Sequence, residues 1–165
     1  MIRDVPDFPK PGIVFKDITP VLQHPAAFGE IIESLRDDAR DKAADVIVGI
    51  ESRGFVFGVP VAMHLGLPFA PARKLGKLPY DRLTEEYALE YGTNSIEMHV
   101  DAIQPGQRAY VVDDLLATGG TAAAAGRLIE RLNGTVVGFG FMIELTFLQG
   151  RSNLRGYPIH ALIAY

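Results

Sequence analysis

Two adjacent carboxylates, Asp113 and Asp114, stand where an apolar run beginning at Ala109 is expected to end as a strand. Small and hydroxyl-bearing residues follow at 117–121 and lead into a predicted helix over 122–132. A helix start leaves its first N–H groups unpaired, and glycine lets the backbone approach an anion closely. The segment 117–121, called the phosphate loop below, therefore predicts a phosphate site. Its predicted ligands are Ala117, Thr118, Gly119, Gly120 and Thr121.

The acidic pair, Asp113 and Asp114, cannot bind that phosphate because like charges repel. Carboxylates in this place suit hydroxyl groups of the same ligand, or a cation that the ligand carries. A phosphate with a diol close to it describes a ribose 5-phosphate, so the sequence predicts a ligand of that kind. The alternative for the acidic pair is turn chemistry, since aspartate is common where strands end.

Cationic residues follow two other predicted strands. Arg53 lies in the loop 51–54, after the strand 45–50, and the basic segment, Arg73–Pro79, follows the strand 67–72. Because the carboxyl ends of parallel strands meet at one edge of a sheet, both loops are expected to meet the acidic pair. This layout suits a ligand with several phosphates and one diol. Taken alone, Arg73, Lys74 and Lys77 are better explained as a solvated surface cluster, and Arg53 equally well as an arginine that caps a sheet edge.

The remaining pattern places these loops on one α/β domain, residues 1–165, with a Rossmann-like, doubly wound and mainly parallel sheet. Prolines keep the first twelve residues out of regular structure, and residues 1–22 are predicted to form a small lobe. Further helices are predicted at 25–41 and 56–65, the second with a late start near Phe57 or Gly58 because of Pro60. The arms of an exposed hairpin are predicted at 84–91 and 95–100, and the last strands at 135–144 and 159–164.

Composition excludes several classes of protein. The chain has 165 residues, a net charge of -4 and no cysteine, so a general nucleic-acid binder, a disulfide framework and a thiolate metal site are all disfavoured. No apolar run is long enough for a membrane span and no signal peptide is recognisable, which predicts a cytoplasmic protein with no membrane partner. The sequence contains no Walker-type loop and no complete dinucleotide fingerprint, and its four histidines do not cluster.

The stretch from Ala109 to Thr121 resembles the phosphoribosyl-pyrophosphate signature of the type I phosphoribosyltransferases, and its ending resembles the adenine-specific members of that family. The resemblance extends over nearly the whole chain in the family's order. Residues 6–20 resemble the family's N-terminal hood, residues 51–55 its pyrophosphate loop, and residues 73–79 with 87–92 its mobile loop. It implies the type I phosphoribosyltransferase fold, with a hood at 1–22 and a mobile loop and hairpin at 73–100.

The reaction that the resemblance implies joins adenine to phosphoribosyl pyrophosphate and yields AMP and pyrophosphate. It implies that Mg²⁺ is held mainly by phosphoribosyl pyrophosphate rather than by protein side chains, and that the protein is a homodimer. The phosphate loop would bind the 5-phosphate, and the acidic pair would hold the ribose hydroxyls. The residues implied to hold pyrophosphate are Ser52, Arg53, Arg73, Lys74 and Lys77, with a cis peptide bond between Glu51 and Ser52.

For the base, the resemblance implies that Phe15 stacks on adenine while backbone groups near Val14 and Lys16 read its edge. Glu90 would be the acid that donates a proton to adenine's imidazole ring, which requires a raised pKa that loop closure could supply. Without the resemblance, an exposed hairpin carboxylate is the better interpretation of Glu90. Glu51 is given no distinct role, because the family often has aspartate there.

Two classes of rival function remain, a phosphoribosyltransferase for another base and a non-catalytic sensor. A phosphoribosyltransferase for 6-oxopurines is disfavoured because residues 133–150 contain no lysine to read an exocyclic oxygen, and an enzyme for pyrimidine bases is a further alternative. A non-catalytic sensor of phosphoribosyl pyrophosphate that binds nucleic acid would need a basic face, which an acidic chain does not predict.

Overall fold

The computed structural model describes residues 1–88 and 92–165. Its strands are β1 (Arg3–Pro6), β2 (Val14–Asp17), β3 (Val46–Ile50), β4 (Phe69–Lys74), β5 (Arg82–Ala88), β6 (Thr93–His99), β7 (Arg108–Leu116), β8 (Thr135–Glu144) and β9 (Ile159–Ala164). Its α-helices are α1 (Thr19–Leu22), α2 (Pro25–Asp41), α3 (Arg53–Leu65) and α4 (Gly120–Arg131). Two short 3-10 helices lie at Thr146–Leu148 and Gly150–Leu154.

Seven of the described strands form one sheet in the order β5-β6-β4-β3-β7-β8-β9. The five strands from β4 to β9 in that order are parallel to their neighbours, and β6 and β5 extend the sheet as an antiparallel hairpin. The chain leaves β3 for one neighbour, β4, and later returns to the other side of β3 as β7. The crevice at the carboxyl ends of such strands is the usual ligand site of an open α/β sheet. The predicted doubly wound, mainly parallel sheet is confirmed.

Both faces of the sheet are buried. Side chains of β7 alternate between two hydrophobic clusters, with Tyr110 and Val112 facing α2 and α3, and Ala109 and Val111 facing α4. This period of two, with apolar residues on both sides, is typical of a central strand in a doubly wound sheet. The same alternation determines which face of the sheet each residue of the acidic pair, further along β7, points to.

The small N-terminal lobe is a separate two-stranded sheet in which β2 pairs antiparallel with β1. Its last residues join the core, because Ile18 and Val21 are buried against the cluster under α2 and α3. The lobe is therefore attached to the domain by α1, as a hood beside the carboxyl edge of the sheet.

Several predicted boundaries were wrong. Helix α3 begins at Arg53 and contains Pro60 in its interior, because Ser52 already lies at the helix N-cap and Gly54 allows the first turn to approach β7. An added Cβ at Gly54 would lie 2.5 Å from the carbonyl oxygen of Val112. Helix α4 starts at Gly120 rather than at residue 122.

Strand ends also extend further than predicted. Arg73 and Lys74 belong to β4 rather than to a loop, since they pair with Glu97 and Ile96 of β6. Strand β7 runs through the acidic pair to Leu116, because its pairing with β8 continues. Strand β6 starts at Thr93, two residues before the predicted arm. No helix within the described residues is long and apolar enough to cross a membrane.

Candidate active site

The acidic pair lies near the carboxyl end of β7, directly against the start of α3. Asp114 is only 3% exposed, and its Oδ2 is 2.6 Å from Nε of Arg53. The Asp114 N–H donates to Oδ1 of Asp113 at 2.9 Å. The sequence predicts both carboxylates at the end of a strand, but β7 continues to Leu116, and Asp114 is buried beside the start of α3.

The two carboxylates are unequal. Burial in the first place, and then repulsion from Asp114, raise the pKa of the Asp113 carboxyl well above its usual range, while Arg53 acts in the opposite direction. Arg53 contacts Asp114, and within the described residues no ion pair neutralises Asp113. Asp113 is thus a partly buried acid whose charge is poorly compensated, which suits a group that accepts ligand hydroxyls or a nearby cation.

The phosphate loop is organised as the sequence predicts. In the described part of the chain, the backbone N–H groups of residues 118–121 donate to no protein acceptor. Gly119 has φ +80°, a left-handed conformation that glycine adopts without cost. A cavity of about 70 Å³ is lined by all five loop residues together with Asp113. The free donors surround a space of the right size for one phosphate group, at the positive end of α4.

A segment that the sequence did not single out supports this loop from behind. Asn153 Nδ2 donates to the carbonyl oxygen of Thr118 at 2.7 Å. Gly119 approaches Gly150 so closely that an added Cβ would lie 2.4 Å from the Gly150 carbonyl oxygen. Asn153 carries no motif and lies 35 residues from Thr118, so no local pattern could have revealed it.

A second cavity, of about 200 Å³, brings residues 51–53 and Lys74, together called the cationic loop below, to the acidic pair. It is lined by Glu51, Ser52, Arg53, Lys74, Asp113 and Asp114. Asp113 lines this cavity and also the cavity of the phosphate loop. The two cavities are therefore adjacent, with one carboxylate at their boundary. The peptide bond between Glu51 and Ser52 is cis, as expected.

Arg73 does not line that cavity but contacts Glu51, which does. Its Nε and Nη2 donate to the Glu51 carboxylate at 3.1 and 3.0 Å, and the Lys74 N–H donates to the same group at 3.0 Å. The side-chain hydrogen bond from Arg73 is the largest cause of a lowered pKa for Glu51. Glu51, which the sequence left without a role, joins the strand end of β3 to the basic segment. Lys77 is exposed and does not line either cavity.

The hood presents Phe15 to the same region. The Arg53 guanidinium carbon lies 5.4 Å from the centre of the Phe15 ring, and Phe8 packs edge-on against that ring at 5.2 Å. Lys16 has its ammonium 2.7 Å from Asp4 Oδ1 and is therefore engaged within the hood. The charge of Lys16 is thus already paired within the hood.

A larger cavity of about 500 Å³ lies between the hood and the segment after β8. Val14 and Lys16 line it on one side and Leu145, Phe147 and Leu148 on the other. Successive side chains of a strand point to opposite faces, so Phe15 faces away from this cavity. The sequence did not indicate its apolar wall after β8.

Two further predictions concern the acid Glu90 and the metal ion. Glu90 lies among residues 89–91, outside the described residues. Within the described residues, no group of three or more His, Asp or Glu side chains is placed to hold a metal ion.

Comparison with known proteins places this geometry in a family. Residues 17–152 match the family model described as a phosphoribosyl transferase domain. The chain is 56% identical over 165 residues to an adenine phosphoribosyltransferase of Acaryochloris marina, covering 100% of this chain and 97% of that protein.

Solved structures agree. An adenine phosphoribosyltransferase from Thermoanaerobacter pseudethanolicus superposes with a TM-score of 0.97 at 54% identity, over 100% of this chain and 96% of that one. The enzyme from Saccharomyces cerevisiae, crystallised with an imino-altritol bisphosphate and adenine, superposes with a TM-score of 0.92 at 41% identity, over 98% of this chain and 93% of that one.

Proposed function

Since the chain belongs to the phosphoribosyl transferase family, and within it to the adenine phosphoribosyltransferases, we propose that its carboxyl-edge site transfers the 5-phosphoribosyl group of phosphoribosyl pyrophosphate to adenine. The products are AMP and pyrophosphate. One observation carries the assignment of residues: Asp113 lines both the cavity of the phosphate loop and the cavity of the cationic loop. A substrate with phosphates at both ends of a ribose fits two anion sites that meet at one carboxylate.

The phosphate loop holds the 5-phosphate. Its free N–H groups and the hydroxyls of Thr118 and Thr121 supply donors, and the positive end of α4 favours the negative charge. Binding needs no rearrangement of the core, because Asn153 and Gly150 already hold the loop. The acidic pair holds the ribose hydroxyls, with Asp113 at the boundary between the two phosphate sites.

The cationic loop holds the pyrophosphate. Ser52, Arg53 and Lys74 line the second cavity, and Lys77 reaches the diphosphate from the exposed side of the basic segment. Arg73 acts indirectly, by supporting two residues of this region. It contacts Glu51, and its Nη1 donates to the Lys77 carbonyl oxygen at 3.0 Å. As pyrophosphate leaves, positive charge develops on the sugar and negative charge on the departing group, so these cations stabilise the transition state electrostatically.

Adenine stacks on Phe15, with backbone groups of Val14 and Lys16 at its edge. Phe15 is favoured over the larger cavity across the hood because its ring lies beside Arg53, which in turn contacts Asp114. The base must reach the anomeric carbon, so its site must adjoin the ribose clamp. The yeast relative was crystallised with adenine, which supports a base site in this fold. Glu90 donates a proton to the imidazole ring of the base as another ring nitrogen attacks the sugar.

Mg²⁺ accompanies phosphoribosyl pyrophosphate. Asp114 is already engaged by Arg53, and the described residues offer no cluster of three acidic or histidine ligands. This donor set fits a metal that takes most of its oxygens from the substrate. When bound, it would neutralise charge on the departing pyrophosphate. The protein's own part is to hold the two ends of the substrate and to keep water from the activated sugar.

The protein is a homodimer that acts in the cytoplasm. Helix α3 exposes an apolar stripe of Val56, Val59 and Met63, which are 38%, 38% and 75% exposed. Residues at this spacing share one helix face, and a contiguous exposed apolar face marks an interaction surface. Replacing Met63 with lysine should shift the protein to monomer in light scattering; an unchanged mass would place the interface elsewhere.

The reaction is tested by mixing the purified protein with phosphoribosyl pyrophosphate, Mg²⁺ and either adenine or hypoxanthine, and separating the nucleotides. AMP from adenine is the expected product. If hypoxanthine reacts and adenine does not, the base assignment is wrong. If phosphoribosyl pyrophosphate binds and neither base reacts, a non-catalytic sensor is favoured instead.

A further inference from the structure

Glu97 is a buried carboxylate that the proposed chemistry does not use. It lies in β6, is only 1% exposed, and stands opposite Arg73 of β4 on one side and Thr84 of β5 on the other. The Thr84 hydroxyl donates to its Oε1 at 3.2 Å. Burying a carboxylate is costly unless its oxygens are hydrogen-bonded, so the remaining partners of Glu97 indicate why it is there.

One of those partners, Gly76, lies in the basic segment, and the other, Arg82, begins β5 just after it. Oε2 accepts the backbone N–H of Gly76 at 2.9 Å, and Oε1 accepts Nε of Arg82 at 3.0 Å. Nη1 of Arg82 lies 3.5 Å from the carbonyl oxygens of Leu78 and Tyr80. One carboxylate therefore fixes the turn at Gly76 directly and the residues after it through Arg82.

The turn that Glu97 holds determines where Lys77 lies. Gly76 has φ +76°, so the chain reverses there, and the Lys77 N–H returns to the Lys74 carbonyl oxygen at 3.3 Å. The Lys77 ammonium is exposed and has no ion-pair partner among the described residues. Its place relative to the second cavity depends on the backbone of the turn, which Nη1 of Arg73 also holds by donating to the Lys77 carbonyl oxygen at 3.0 Å.

We propose that Glu97 is a positioning residue for pyrophosphate binding. Its buried carboxylate holds the Gly76 turn so that Lys77 meets the diphosphate end of phosphoribosyl pyrophosphate. The inference rests on the proposed function of Lys77 as a pyrophosphate ligand. The competing explanation is that Glu97 only stabilises the β5–β6 hairpin, in which case its loss would not affect one substrate more than the other.

The first test is Glu97→Gln, which keeps the shape of the side chain but removes its charge. The KM for phosphoribosyl pyrophosphate should rise about tenfold, as expected for weakening a charge-assisted hydrogen bond, while the KM for adenine stays the same. Asp38→Asn is the matched control, because Asp38 accepts the Tyr110 hydroxyl at 2.5 Å and lies on α2, away from the basic segment. An equal rise in both KM values for Glu97→Gln, or a rise in the control, would overturn the proposal.

A double-mutant cycle with Lys77→Ala separates this inference from the proposed function. If Glu97 acts through Lys77, the double variant should have the same KM for phosphoribosyl pyrophosphate as Lys77→Ala alone. If the two substitutions raise this KM independently, so that their effects multiply in the double variant, the role of Glu97 is overturned and that of Lys77 is left intact. No effect of Lys77→Ala would refute the pyrophosphate role of Lys77 and, with it, this inference.

A shorter acid at position 97 provides a second test should the glutamine variant fail to fold. Glu97→Asp keeps the charge facing Arg82 but withdraws the carboxylate from the Gly76 N–H by one methylene. A KM for phosphoribosyl pyrophosphate that rises in this variant supports the proposal, and an unchanged KM contradicts it.

Discussion

The two ends of strand β7 place aspartate in opposite environments. At the amino end, Arg108 donates through Nε and Nη2 to the Asp45 carboxylate, each at 2.9 Å. These hydrogen bonds are the largest cause that lowers the pKa of Asp45 to about 2. At the carboxyl end, burial and the neighbouring Asp114 raise the pKa of Asp113. The same side chain is stabilised as an anion at one end and destabilised at the other.

The difference separates structural charge from functional charge. A carboxylate whose hydrogen bonds are already satisfied by arginine has little left to offer a ligand. One that is held close to a like charge remains available to ligand hydroxyls and lies beside free N–H donors. Active sites commonly keep such unfavourable arrangements at some expense in stability. Substitutions at the carboxyl end should therefore change turnover, and those at the amino end should change stability.

The largest expected effect is that of Asp113→Asn combined with Asp114→Asn. Turnover should fall by about 10³-fold or more, because the ribose hydroxyls lose both acceptors as charge develops on the sugar. Steady-state AMP formation measures the effect, and thermal unfolding followed by circular dichroism shows whether the fold is kept. Loss of cooperative unfolding would instead indicate that the acidic pair is structural.

A smaller loss of turnover is expected for Glu90→Gln. The amide cannot donate a proton to the base, so kcat should fall by about 10²-fold while the KM for adenine changes little. The pH–rate profile of the wild type should show a step where Glu90 loses its proton. The absence of that step in the variant would support the assignment. An unchanged kcat would remove Glu90 from catalysis and restore the interpretation of an ordinary surface carboxylate.

The single substitution Asp113→Asn should stabilise the protein at neutral pH, raising the Tm by roughly 2–5 °C. Because the folded pKa of Asp113 is raised, the wild type loses stability as the pH rises above the unfolded pKa of about 4. The difference between variant and wild type should therefore be absent near pH 3.5 and grow towards pH 7. A lower Tm for the variant at pH 7 would contradict the account of this end of β7.

The smallest effect is expected at the other end. Asp45→Asn should lower the Tm at pH 7 by about 2 °C or less, because the pair with Arg108 is partly exposed. The folded pKa of Asp45 is lowered, so its contribution is present above about pH 4 and is lost as the pH falls through about 2. Turnover should not change. If Asp45→Asn kept its Tm but lost activity, the amino end of β7 rather than only its carboxyl end would carry functional charge, and the comparison would fail.

The sequence was most informative where chemistry is local. The phosphate loop is a continuous run of residues at a helix start, and its free N–H groups follow from backbone geometry alone. The convergence of Arg53 and Lys74 on the acidic pair followed from the rule that parallel strands end at one edge. The convergence is confirmed by the cavity that Arg53 and Lys74 share with the acidic pair, and phosphate binding by the loop stays a prediction.

Residues that act through distant partners were missed for a physical reason. Glu51 meets Arg73 across 22 positions and Glu97 meets Gly76 across 21, and each contact exists only because β4 pairs with its neighbours. Nothing in the local pattern of a carboxylate states which cation or N–H it will face. The one available signal for Glu51 was its place directly after a buried strand, which is the signal that identified the acidic pair.

The start of α3 was mispredicted because Pro60 was weighed by local propensity. A proline in a helix interior removes one hydrogen bond, but the helix is also held by packing of Phe57 and Val61 in the core. Tertiary packing outweighs the loss, and the helix begins at Arg53, which places that guanidinium beside Asp114.

A crystal structure of the protein with phosphoribosyl pyrophosphate and Mg²⁺ tests the central claim most directly. We expect the 5-phosphate against the N–H groups of residues 118–121, the pyrophosphate against Ser52, Arg53 and Lys74, and the ribose hydroxyls on the acidic pair. A diphosphate bound in the phosphate loop, or a ribose away from Asp113, would contradict it.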